Sequence, residues 1–115
     1  MQSAAAIKKA ERAIEQRQQA RYRVEFSVAF TGDRTGTGTV YNLGLGGCKI
    51  MSTASVTAGS ILDLQLQLPD RPPLNVRAAT VRWAMEDDFG VDFLGMQESE
   101  RDRLAAYIEH LAQES

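Results

Sequence analysis

From residue 23 onward apolar and polar side chains alternate, with Val24, Phe26, Val28 and Phe30 set between Arg23, Glu25, Ser27 and Ala29. A period of two marks a strand with one buried face. Thr31-Gly32-Asp33-Arg34-Thr35-Gly36 supplies turn chemistry and residues 37–41 resume the strand, which predicts a hairpin. Alternation returns at residues 48–52, a loop is expected over 55–59, and residues 61–68 carry the cleanest alternation in the chain. Three prolines within residues 69–73 remove ladder donors and fix φ, so a turn falls there. Residues 74–85 predict a long strand, Glu86-Asp87-Asp88 an acidic turn, and residues 89–94 the last strand.

A helical period occurs only at the two ends. Residues 4–20 are rich in Ala, Glu, Gln, Lys and Arg, but their apolar stripe (Ile7, Ala10, Ala13, Ile14) is thin. Such a helix is marginal alone and would pack on the domain, pair with a second copy of itself or continue from a preceding domain. At the other end Ser99, among Glu98, Glu100 and Asp102, starts a helix with Leu104, Tyr107, Ile108 and Leu111 on one face. Six short antiparallel strands flanked by helices, with no βαβ unit, predict a small β-barrel closed by the C-terminal helix. The expected division is an N-terminal helix and arm over residues 1–22 and the barrel with its closing helix over residues 23–115.

One stretch breaks the alternation: Asn42-Leu43-Gly44-Leu45-Gly46-Gly47, read as a strand-turn-strand corner. Glycines there admit positive φ and let another molecule approach the main chain closely. Just ahead of the first strand stand Arg17 and Arg21, two rigid forks of donors suited to a phosphate or a guanine edge. Arg and Gly in this arrangement point to a nucleotide-binding regulatory module.

Composition narrows the partner. At 115 residues the chain is one domain, with ordinary charged (24%) and hydrophobic (43%) fractions. Its net charge of -2 divides unevenly, with seven Lys/Arg against four Asp/Glu over residues 1–35 and two against nine over residues 86–115. A net-acidic chain lacks the footprint of a general DNA or RNA binder, which leaves a small anion. Cys48 is the only cysteine, so no internal disulfide or cysteine-built zinc site forms and a reducing cytoplasm is expected. No apolar run is long enough to span a membrane; the chain is expected in the cytoplasm, free or as the cytoplasmic part of a larger membrane protein.

Catalytic chemistry finds no support. Gly44-Leu45-Gly46-Gly47 opens a strand, whereas a P-loop needs Gly-Lys-Ser/Thr and a dinucleotide fingerprint must open a helix. His110, the only histidine, reads as a surface residue of the last helix, and Cys48 as a small core residue. Glu86, Asp87, Asp88 and Asp92 lack the ligand spacing of a calcium loop and read as a solvated hairpin tip; no metal is expected. Trp83 reads as core or barrel rim.

Arg17-x-x-x-Arg21 with Tyr22-x-Val24, then Asn42-x-Gly44-x-x-Gly47, then Phe89-Gly90-Val91-Asp92-Phe93 and a Glu/Arg-rich amphipathic helix together resemble a PilZ domain from about residue 17 to the C-terminus. Members of that family are bacterial receptors for the second messenger cyclic di-GMP, with an R-x-x-x-R arm and a D/N-x-S-x-x-G turn on a six-stranded antiparallel barrel. The resemblance implies a mainly β fold of that type with an N-terminal helix and a C-terminal amphipathic helix. It implies a receptor without enzymatic activity, whose arm and helix move on binding to control an effector protein or fused synthase domain, in polysaccharide synthesis or motility. It assigns Arg17 and Arg21 to the ligand's phosphates and guanine faces, Asn42 to a guanine edge, and Gly44 and Gly47 to the turn. Gln16, Arg23, Gly46 and Lys49 are the next candidates.

Gly44 departs from the family pattern, because a serine hydroxyl is missing there. A lost hydrogen bond is worth about 0.5–1.5 kcal/mol if neutral and about 1.5–3 kcal/mol if charged, or roughly 2- to 150-fold in affinity. The resemblance therefore predicts that Gly44→Ser tightens binding if the turn keeps its shape, whereas weaker binding would mean that the glycine is required for close backbone approach. It also leaves a second reading, a protein-interaction domain that no longer takes the nucleotide and docks or oligomerises through its N-terminal helix.

Overall fold

Along Ile61–Leu66 the expected alternation is realised side chain by side chain: Leu62, Leu64 and Leu66 are buried while Ile61, Asp63 and Gln65 face solvent. The computed structural model describes residues 20–114. Within them lie β1 (Tyr22–Gly32), β2 (Gly36–Leu43), β3 (Gly47–Met51), β4 (Ile61–Leu66), β5 (Leu74–Ala84), β6 (Asp88–Phe93) and the helix α1 (Glu98–Glu114). All six strands pair antiparallel, in the closed order β1-β2-β3-β6-β5-β4. The six-stranded barrel and its C-terminal helix thus follow the pattern expected from the sequence. The proposed N-terminal helix lies outside the described residues, as do Gln16 and Arg17.

Closing so small a sheet demands strong local bending, and the register is interrupted on four of the six strand pairs. Each interruption is an extra residue on one strand, a bulge that coils the sheet toward closure. One of them, in β5, carries Ala78 at φ 114°. The Ala78 carbonyl accepts hydrogen bonds from Leu94 N (2.8 Å) and Gly95 N (3.1 Å), which hold it there.

The barrel interior is apolar, with Val28, Phe30, Val40, Leu43, Ile50, Leu74, Val76 and Val81 at its centre. Phe30 and Phe89 meet edge to face at 5.6 Å, a preferred aromatic geometry. Leu104, Tyr107 and Ile108 of α1 cover this core, and Tyr107 meets Phe26 edge to face at 6.3 Å. The proline-rich turn anchors the helix. Arg103 donates to the carbonyls of Pro72 and Pro73, the Glu100 carboxylate accepts from Asn75 N (2.7 Å), and the Arg71 guanidinium sits 4.9 Å over the Tyr107 ring.

A non-glycine residue held at φ 114° costs on the order of 1–3 kcal/mol. Replacing alanine by glycine adds chain entropy to the unfolded state worth about 0.5–1 kcal/mol. Ala78→Gly is therefore expected to raise the unfolding free energy by about 1 kcal/mol in urea titrations; a lowered value would mean that the alanine methyl packs better than its backbone strains.

Candidate functional site

The glycine corner joins β2 to β3. Gly44 N donates to the Gly47 carbonyl at 2.9 Å and closes the turn, while the Gly46 carbonyl accepts from Phe93 N at 2.8 Å and ties the tip to the end of β6. None of the three glycines adopts positive φ, so the expectation that they serve left-handed torsions is corrected. Space excludes a side chain at one of them and is tight at another. A Cβ at Gly47 would lie 2.1 Å from the Val91 carbonyl oxygen, so any side chain would separate β3 from β6. A Cβ at Gly44 would meet the Ala20 carbonyl oxygen and Arg21 Cδ at 3.0 Å and Arg21 Nε at 3.2 Å. At Gly46 the corresponding position is open to solvent.

Arg21 lies across this corner. Its Nη1 donates to the Gly47 carbonyl at 2.9 Å and, over a longer 3.4 Å, to Asn42 Oδ1. With Gly44 N already bonded there, the Gly47 carbonyl uses both of its lone pairs. The remaining guanidinium N–H groups make no hydrogen bond among the described residues. Arg21, Asn42, Gly44 and Gly47 thus meet at one point, with Gly46 at its tip. Arg17 and Gln16 lie outside the described residues.

Arg23 and Lys49 fall on the same outer face by register. Pairing runs Arg23↔Asn42 from β1 to β2, Asn42↔Lys49 to β3, Lys49↔Gly90 to β6 and Gly90↔Trp83 to β5. At the end of that row the Trp83 indole lies on Gly90, so closely that a Cβ there would be 2.3 Å from Nε1. The sequence reading placed Trp83 at the core or barrel rim and did not foresee its contact with Gly90. The available signal was Gly90, a glycine within an otherwise bulky strand that leaves room for a ring from the neighbouring strand. Arg23, Val24, Glu25, Tyr41 and Asn42 line a shallow groove beside the corner. On its other side Leu45 and Gly46 face Arg101, Asp102 and Ala105 of α1.

The arrangement offers guanidinium forks, an amide and a flat ring, groups suited to binding an anion or a purine. Cys48 is fully buried next to the corner, and burial pushes its thiol up to about 12, only partly opposed by the nearby Arg21 charge. Tyr41 donates its hydroxyl to Asp88 Oδ2 at 2.7 Å; burial first, then that bond and the Asp88 charge, push it up to about 12. Asp92 pairs with Arg82 at 3.3 Å, and His110 is exposed with Nε2 2.8 Å from Glu114, as expected for a surface residue. Among the described residues no group of three His, Cys, Asp or Glu is placed to hold a metal ion.

Folding raises the pKa of Cys48, of Tyr41 and, through burial, of Tyr107. The folded state therefore holds these protons more tightly than the unfolded chain, and their stabilising contribution is complete below about pH 9 and lost as pH rises toward about 12. Thermal midpoints are expected to be flat from pH 7 to about 9 and to fall above it; a decline beginning below pH 8 would implicate other groups.

Comparison with known proteins yields one family model, the PilZ domain, matching residues 15–110. No curated protein matches the sequence significantly. The inhibitor of motility MotI/DgrA of Bacillus subtilis superposes with a TM-score of 0.75 at 19% identity, over 87% of this chain and 53% of that one. This chain thus spans about half the length of the Bacillus protein. The PilZ domain of CeSA from a cellulose-synthesizing bacterium gives 0.66 at 13% identity, over 82% of this chain and 99% of that one. An uncharacterized Legionella protein gives 0.54 at 14% identity, over 83% and 96%. At these identities the likeness establishes a common fold.

Proposed function

The chain belongs to the PilZ domain family of cyclic di-GMP-binding regulatory domains, and from that membership we propose that it is a cyclic di-GMP receptor module that grips the nucleotide between its arginine arm and the glycine corner. One observation carries the reading: among the described residues Arg21 hydrogen-bonds only through Nη1, to Asn42 and Gly47, which leaves the other edge of the fork for an anion. Cyclic di-GMP carries two phosphates and two guanines, whose oxygen and N7 acceptors match a guanidinium fork and whose flat faces stack on it. Arg17, four residues upstream, supplies the second fork. Arg23 and Lys49, on the same register row, concentrate positive charge on one face of a net-acidic chain. The Trp83 ring at the end of that row is a further surface for a purine.

The module has no catalytic role in this reading. Ligand held between arm and corner favours whichever placement of the preceding residues binds it better, and that shift is the signal passed on. The receiver is an effector protein or a fused synthase domain on the cytoplasmic side of the membrane. One structural neighbour is named an inhibitor of motility and another is the PilZ domain of CeSA from a cellulose-synthesizing bacterium, so motility and polysaccharide synthesis are the first pathways to test. The missing hydroxyl at Gly44 favours the second reading, an interaction domain without a nucleotide.

Isothermal titration with cyclic di-GMP, with GTP as control at the same salt, is expected to give saturable micromolar or tighter binding of the cyclic dinucleotide alone. Arg21→Ala and Arg17→Ala are each expected to weaken it about 10- to 150-fold, the range for a charged hydrogen bond. Arg17→Ala should unfold within about 0.5 kcal/mol of the parent chain, and Arg21→Ala about 1 kcal/mol below it through the lost bond to the Gly47 carbonyl. Absence of heat at hundreds of micromolar ligand would overturn the receptor reading in favour of the interaction domain.

A further inference from the structure

We propose that Gly44 is a positioning residue for Arg21: the missing side chain at this turn makes the seat on which the arm lies and presets the guanidinium for its anion. The inference rests on the receptor reading for its affinity consequence, but its structural content stands in the free protein.

Backbone torsion does not require glycine at position 44, because its φ lies outside the left-handed region. What is unusual is its burial. Gly44 sits in a surface turn and is nevertheless buried, and the nearest atoms to its missing side chain all belong to the arm: the Ala20 carbonyl oxygen and Arg21 Cδ at 3.0 Å, then Arg21 Nε at 3.2 Å. The stem of Arg21 lies in tight contact with the place where a Cβ would stand.

Those distances are tighter than ordinary contact, so a side chain at 44 requires the arm to give by a few tenths of an ångström. The Ala20 oxygen is backbone and yields least; the Arg21 stem yields first. Lifting Cδ swings the guanidinium at the end of a lever. The 3.4 Å bond to Asn42 is already at the outer limit and breaks before the 2.9 Å bond to Gly47. With glycine in place the fork is anchored by one nitrogen before any ligand arrives, so its ordering entropy is not charged to binding. Gly44 then exchanges one hydroxyl contact for a fixed guanidinium, and the expectation that serine would tighten binding is reversed.

The test begins in the ligand-free protein. In the 15N spectrum at low temperature the Arg21 Nη1–Hη signal, identified by its loss in Arg21→Ala, is expected to be resolved from the solvent-averaged guanidinium position and slow to exchange, because Nη1 is the atom bonded to Gly47 and Asn42. Gly44→Ala and Gly44→Ser should return it to the averaged position, whereas Gly46→Ala, whose Cβ meets nothing within 4 Å, should leave it in place. Titration with cyclic di-GMP should then show both Gly44 variants binding about tenfold more weakly. In the Arg21→Ala background Gly44→Ala should change affinity no further, which marks the two residues as one unit. An averaged Arg21 signal in the parent chain overturns the proposal whatever the variants do. So does tighter binding by Gly44→Ser, or a Gly44 effect that persists without Arg21. If the parent chain does not bind the nucleotide, the receptor reading fails and the spectrum alone decides the positioning role: an ordered parent signal released in the Gly44 variants supports it, and an unchanged signal rejects it.

Discussion

The carbonyl of Gly47 is the point on which the site depends. It receives the N–H that closes the turn and the guanidinium that docks the arm, and its residue is pressed so closely on Val91 that no side chain fits. The last fact fixes the first two. A corner that must abut β6 has a determined position, and a carbonyl with a determined direction can orient a cation. The barrel's packing and the site's geometry are therefore one constraint seen from two sides.

The rest of the fold keeps that corner rigid. Bulges bend six short strands until they close, and the interior is filled by alternating aliphatic residues with the Phe30–Phe89 pair among them. α1 covers the core with Leu104, Tyr107 and Ile108 and is clamped to the proline turn by Arg103 and Glu100. Binding chemistry on the outer face can rely on this because a closed barrel has no edge to fray.

The strands were legible in the sequence because each buries one face, so that Leu62, Leu64 and Leu66 announce both their strand and their orientation. The same logic gave α1 its buried face and placed Cys48 inside. Strand order was not legible: that β3 neighbours β6 while β1 closes on β4 is decided by which surfaces fit, and no local pattern encodes it. The candidate site residues were chosen by their spacing, but the reason for the glycines was not legible. Torsion explains a glycine from the sequence alone, whereas the contacts of Gly44 with Ala20 and of Gly47 with Val91 join positions far apart in the chain. Trp83 was read as core or barrel rim, and its place on Gly90 was not legible for the same reason, since it belongs to the register between β5 and β6.

That pairing of β3 with β6 has a consequence in time. As the chain leaves the ribosome, β1 and β2 can form a hairpin early, and the corner residues follow at once. Yet the surface against which Gly47 sets, Val91 and Asp92, is made more than forty residues later. Long-range closure of this kind is slow compared with hairpin formation. Until β6 arrives the arm has no fixed carbonyl on which to dock, so in an incompletely synthesised or C-terminally clipped chain the corner is not set, and the site is completed only with the fold.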